Sequence, residues 1–154
     1  MEHMKILIDN QQTKRIPTDI IRQKTKQILS ALGCDSHEVS LVITDNDQIQ
    51  QLNKRYRKID KPTNVLAFPM QEGQFGNINP GLLGDIVISC ETAQKEAKKA
   101  NINLTERISQ LLIHGILHLI GFDHEASEND ARKMEDKSLE LLRQIEDNQN
   151  LNTF

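Results

Sequence analysis

Residues 113–124 read IHGILHLIGFDH and place three of the chain's five histidines in one short apolar run. His114 and His118 stand four apart, so on an α-helix they project from one face, a turn apart. The surrounding apolar residues predict a buried helix that Thr105 opens and that passes Leu112 and His118 to about Leu119, where Gly121 stops it. Beyond it, Gly121 lets the chain turn back and carry His124 toward the same point.

Working outward, Ser127 caps a last helix along which Met134, Leu141, Leu142 and Ile145 face inward, and residues 148–154 read as a frayed tail. Upstream, GDIVIS (84–89) is a strand followed by a helix from about Glu91 to Ala100. NVLAFP (64–69) is another strand, ended by Pro69, and the Gly-, Asn- and Gln-rich stretch from Met70 to Leu83 is a loop. VSLVIT (39–44) is a half-alternating, β-branched strand, and Asp45 or Thr44 caps the next helix through Ile49, Leu52 and Tyr56. KILI (5–8) is a short strand. Pro17 and Thr18 open a helix to about Leu32, with Ile20, Ile21, Ile28 and Leu32 on its apolar side and Gly33 as its stop. Strands alternating with helices imply a small sheet covered by helices, in an α/β or α+β domain.

The 154 residues fit one domain, 1–154, and a chain this long buries roughly 70% of its unfolded surface. Aromatic residues make up only 3%, so the core has to be built from Ile, Leu and Val. A net charge of −3 does not advertise a nucleic-acid binder, although it leaves room for a local basic patch. Cys34 and Cys90 form no CxxC pair and no disulfide framework, which fits reduced thiols in a cytoplasmic protein. The start, MEHMKILIDNQQ, lacks the apolar core of a signal peptide, and no segment has the roughly 18 consecutive apolar residues of a membrane span.

Three imidazoles plus water make an open tetrahedral site, the arrangement of a catalytic zinc rather than a structural one. A single histidine in an apolar helix reads as a core residue. Three at chelating spacing are costly to bury without a purpose. Asp123 is either a hydrogen-bond partner for a ligating ring or a turn residue. The pattern HxxxHxxGxxH matches the ligand spacing of metzincin proteases, which use a glutamate after the first histidine as base. Here that position is Gly115, and the sequence supplies no matched substitute. This argues against proteolysis.

HGILHLIGFDH resembles the signature of the YbeY family of bacterial metal-dependent endoribonucleases. LNKRYRKIDKPTNVLAFP (52–69) is similar to that family's segment with an arginine shortly before a Pro-Thr-Asp/Asn-Val-Leu strand, and LLGDIVIS (82–89) to its Leu-Gly-Asp-Ile strand. Phe122 departs from the pattern, standing where tyrosine is common. The resemblance implies an α+β fold with a mixed four-stranded sheet and helices, and one zinc ion per chain at His114, His118 and His124. It implies cleavage of single-stranded RNA in ribosomal RNA processing, notably at the small-subunit 3′ end, and in ribosome quality control. The small ribosomal subunit and ribosome-associated proteins are the implied partners, and no membrane is among them. By position, Arg57 matches the arginine that the family uses in catalysis or RNA binding.

The residues themselves allow that role. Lys54, Arg55, Arg57, Lys58 and Lys61 cluster in KRYRKIDK (54–61), and cations at a helix end complement its macrodipole. A guanidinium can also grip a phosphate through two parallel hydrogen bonds. Pro62, Thr63 and Asn64 shape the start of the third strand, with Asn64 expected in a turn hydrogen bond, and Asp85 either braces the site or is structural. The acidic last helix reads as a solvated face, which directs RNA to the side carrying Arg57. Three rivals remain: a zinc-stabilised ribosome assembly factor without catalysis, a metal-dependent peptidase or amidohydrolase, and a metal-free histidine core. Three histidines suit zinc, nickel and copper alike.

Overall fold

Alternation along the second strand sets the layering. In EVSLVIT, Val39, Leu41 and Ile43 are buried while Glu38, Ser40 and Val42 are half-buried, the period of two that sends neighbours to opposite faces. The structure, a computed structural model, describes residues 5–70, 81–123 and 125–151. His124, most of the expected loop and the two N-terminal methionines lie outside the described residues. The elements run β1 (Lys5–Asn10), α1 (Thr18–Ala31), β2 (Glu38–Thr44), α2 (Asn46–Arg57), β3 (Val65–Pro69), β4 (Leu82–Ser89), α3 (Cys90–Ala100), α4 (Leu104–Leu119) and α5 (Glu128–Ile145).

The sheet has the order β1-β2-β4-β3. β1, β2 and β4 are parallel, and β3 lies antiparallel on β4 as an edge strand. It is the mixed four-stranded α+β sheet that the family resemblance implies. β4 is central and buried along nearly its whole length. It begins at Leu82, two residues before the Gly84 start read from the sequence. Gly84, at φ +149°, lets β3 come close, because a Cβ there would stand 2.3 Å from the Phe68 carbonyl oxygen.

One face carries the main core, in which Val39, Leu41, Ile43, Ile86 and Ile88 meet α1, α3, α4 and α5. The other face carries a small cluster of Ile49, Leu66 and Val87, covered by α2. α4 is the hub, packing on α1, α3, α5, β3 and β4. It starts at Leu104 rather than Thr105, because Asn103 is the cap. The Asn103 side chain accepts the Glu106 amide and the Thr105 hydroxyl, both at 2.8 Å. Asp45 and Ser127 cap α2 and α5 as expected.

Three expectations change. Ile20 is 45% exposed, and the buried side of α1 is Ile21, Thr25, Ile28 and Leu29. Tyr56, the last residue on the expected course of α2, is 56% exposed while Ile49 of the same run is buried. The end of the chain is tied down at least to Leu151, which packs on the core and whose carbonyl accepts the Arg143 Nε–H at 2.6 Å. Residues 152–154 lie outside the described residues.

Candidate active site

α4 positions the histidine pair by burying everything else around it. From Ile108 to Leu119 every residue is buried except His114 and His118, which are half-buried. With the two rings a turn apart, their Nε2 atoms stand 3.1 Å from each other. Two nitrogens on one zinc, each about 2.0–2.1 Å away at a tetrahedral angle, are about 3.3 Å apart. The spacing of the two nitrogens is therefore close to that of two ligands on a single ion of that size. Among the described residues no group of three or more His, Cys, Asp or Glu could hold a metal, and the expected third ligand, His124, lies outside them.

The turn after α4 is closed by two backbone hydrogen bonds. The Gly121 amide donates to the His118 carbonyl at 3.1 Å and the Phe122 amide to the Leu117 carbonyl at 2.9 Å. This is a Schellman ending, whose left-handed residue is Gly121 at φ +106°. The chain turns sharply there, and Asp123 is the next turn residue: its carboxylate accepts the Glu125 amide at 2.9 Å. This is the turn role expected of Asp123.

His114 and His118 open into a cleft of about 660 Å³. Arg57, Asn64, Phe122 and Asp123 also line it, so one residue of the cationic segment, Arg57, shares the cleft with the histidine helix. Arg57 is exposed at the last residue of α2, just before Lys58 turns the chain at φ 62°. Asn53, buried under this turn, donates its side-chain amide to the Lys61 carbonyl at 2.9 Å and folds residues 58–61 against the helix. Lys54 reaches only Asp60, at 3.9 Å on an exposed surface, in keeping with a solvated role.

The Asn64 side chain bonds across the fold and not within the expected turn. Its Nδ2 donates to both Glu96 carboxylate oxygens, at 3.2 and 3.3 Å. Glu96 in turn accepts from Arg107 Nε and a terminal guanidinium nitrogen at 3.1 and 3.0 Å, and Arg107 also donates to Gln110. A wall of the cleft is thereby pinned to α3 and α4. Asp85 does not line the cleft. It sits opposite Phe68 in the β3–β4 register, among residues facing away from the main core.

The sequence reading missed Glu125 and Phe68 as lining residues. Glu125 carries a signal, since it follows His124 directly, whereas Phe68 is visible only once β3 is seen to form the cleft floor. Gly115 is buried against β4, where a Cβ would lie 3.1 Å from Ile86. The position that carries the base in the proteases is thus pressed onto the sheet. Neither cysteine lines the cleft. Burial pushes both thiols above their ordinary 9.0, helped by Asp35 at Cys34 and by Glu91 at Cys90, where Lys14 opposes.

The family model described as Endoribonuclease YbeY matches residues 6–146, nearly the whole chain. The chain belongs to this family. Endoribonuclease YbeY of Geobacter metallireducens is 45% identical over 93% of this chain and 97% of its own length. The protein of that name in Aquifex aeolicus is 44% identical over 78% of each chain. The solution structure of TM1509 from Thermotoga maritima superposes with a TM-score of 0.63 at 26% identity, covering 91% of this chain and 88% of its own. The YbeY motifs at 52–69, 82–89 and 113–124 thus correspond to β3 with its approach, β4, and α4 with its turn.

Proposed function

We propose that the chain is a metal-dependent endoribonuclease that cleaves single-stranded RNA in ribosomal RNA processing. Small-subunit 3′-end maturation and ribosome quality control are its setting, and the small ribosomal subunit is its partner in the cytoplasm. The activity is the one that the family's name carries. One domain, 1–154, performs it. The observation that carries the chemistry is the exposure of His114 and His118 alone on the buried run of α4, in one cleft with Arg57.

His114, His118 and His124 would hold one zinc ion, which supplies Lewis-acid chemistry when bound. Arg57 binds the scissile phosphate through two N–H donors and offsets the charge that gathers on its oxygens in the transition state. Its place at a helix end, beside a turn that Asn53 braces, sets its guanidinium on the lining of the cleft. Asn64, fixed by Glu96 and Arg107, holds the wall beneath the strand in place. No helix of the described residues is long and apolar enough to cross a membrane.

The comparisons do not favour the assembly-factor or peptidase readings, and Gly115 against Ile86 supports setting the peptidase aside. The test is cleavage of a single-stranded RNA by zinc-loaded protein beside a duplex of the same sequence. Cleavage of the single strand alone is expected. Hydrolysis of casein with both RNAs intact would replace the proposal with the peptidase.

A further inference from the structure

The chain has one tyrosine, four phenylalanines and no tryptophan. Of these five rings, Tyr56, Phe68 and Phe122 belong to the described residues, and all three line the cleft that holds His114, His118 and Arg57. The main core is meanwhile filled by Ile, Leu, Val and Met, with Phe122 reaching only its margin. A protein that spends its described aromatic rings on one cleft is fitted for a flat π-ligand there.

Tyr56 is the ring most open to such a ligand. It is 56% exposed, although burying a tyrosine would normally remove a large apolar area from water. Its position is nevertheless fixed. Phe68 meets it edge to face, with ring centroids 5.2 Å apart and planes at 64°, and the Arg55 guanidinium lies over it at 5.4 Å. Phe68 is in turn anchored in the apolar cluster of Ile49, Leu66 and Val87. Next in sequence stands Arg57, the phosphate ligand proposed above. A second groove, lined by Gln51, Lys54, Arg55, Lys58 and Asp60, carries three cations against one carboxylate at the same helix end.

We infer that Tyr56 is a stacking platform for a nucleobase beside the scissile phosphate, and that it makes the enzyme select unpaired RNA. This rests on the RNA-cleaving reading. Stacking on an aromatic side chain accepts any base, because every base has a π-face. A base inside a duplex is covered on both faces by its neighbours, so only an unpaired one can leave to lie on Tyr56. Arg55, seated over the ring, then meets the backbone of the strand. Tyr56 is a positioning residue in this account. It touches the substrate one nucleotide away from the reacting phosphate.

Because Tyr56 is the sole tyrosine and tryptophan is absent, tyrosine emission from the full chain reports this ring and no other. The probe is a short 2′-O-methyl oligoadenylate, whose capped 2′-oxygens cannot attack a phosphate, with binding followed separately by anisotropy of a dye on its end. Binding is expected to shorten the tyrosine fluorescence lifetime, which absorbance by the RNA does not alter. Loss of the ring in Tyr56→Leu, which keeps apolar cover over Phe68, should raise KM for single-stranded RNA by about tenfold to a hundredfold. Tyr56→Phe should restore most of that loss. An abasic residue scanned past the cleavage site should cost the wild type the same factor at one position and cost Tyr56→Leu nothing there. Bound RNA with an unchanged lifetime, or an unchanged KM in Tyr56→Leu, overturns the platform while leaving the nuclease reading intact. Quenching without cleavage upholds the platform and sinks the nuclease. Absence of binding removes both.

Discussion

Gly115 of α4 and Ile86 of β4 meet so closely that a methyl group would press on the isoleucine: a Cβ on Gly115 would stand 3.1 Å from both Cδ1 and Cγ2 of Ile86. This contact brings α4 down onto the sheet and sets the height of the histidine pair beside the edge strand. Alanine is a better helix former than glycine by about 1 kcal/mol, but overpacking a buried contact costs about 1–3 kcal/mol. Gly115→Ala is therefore expected to lose about 1 kcal/mol net in urea unfolding. Adding Ile86→Val, which removes Cδ1, should recover part of that loss relative to the Ile86→Val single variant. A strictly additive pair would show that the contact does not limit packing.

A glutamate at position 115 is the change that would mimic the protease pattern. Its carboxylate would enter the apolar space around Ile86. Gly115→Glu should fail to give a soluble folded protein, or give one that melts many degrees lower, and it should acquire no peptidase activity. A stable, casein-hydrolysing Gly115→Glu would contradict the packing reading.

Arg57 is exposed, so its removal should leave the fold untouched while the chemistry suffers. Arg57→Ala is expected to reduce kcat/KM for RNA by about a hundredfold or more with an unchanged melting temperature. Arg57→Lys should recover little, because an ammonium lacks the planar pair of donors. Full activity in Arg57→Lys would show that a point charge suffices.

The Asn64–Glu96–Arg107 chain predicts a loss that reaches the cleft from outside it. Glu96→Ala removes the acceptor of both partners. Arg107 is mostly buried, but Glu96 is about one-third exposed, so solvent screens the pair. The expected cost is about 1–2 kcal/mol, below that of breaking a fully buried pair. KM should rise as the Asn64 wall loosens, with metal content unchanged. A variant with wild-type stability and KM would show the chain to be incidental.

Burial of the thiols predicts slow alkylation. Both cysteines are buried and hold their protons above the ordinary 9.0, so the reactive thiolate is scarce at neutral pH. The unfolded chain ionises first, so their contribution is intact below 9.0 and is lost as pH rises through the folded values. Iodoacetamide at pH 8 should label the native protein far more slowly than the urea-unfolded one. Equal rates would contradict the burial.

Local signals carried much of the fold. The Gly121 stop, the Asp45 and Ser127 caps and the inward faces of β2 and α5 were legible because each depends on neighbours within a turn or two. The histidine pair was legible for the same reason. What escaped depends on long-range packing: Ile20 and Tyr56 are apolar by type yet point outward, and Leu151 is polar-flanked yet docks on the core. The Asn64–Glu96 contact joins residues 32 apart in the chain, and no local pattern announces it. Gly115 stands out in the sequence as a missing base, but its contact with Ile86 lies in another element.

The most direct measurement is cleavage of an end-labelled single-stranded RNA by the purified zinc-loaded protein, with His118→Ala purified identically beside it and bound zinc counted in both. About one zinc and cleavage are expected for the wild type, and loss of both in the variant. Equal cleavage by the two proteins, or none by a wild type that holds its zinc, would contradict a catalytic histidine site.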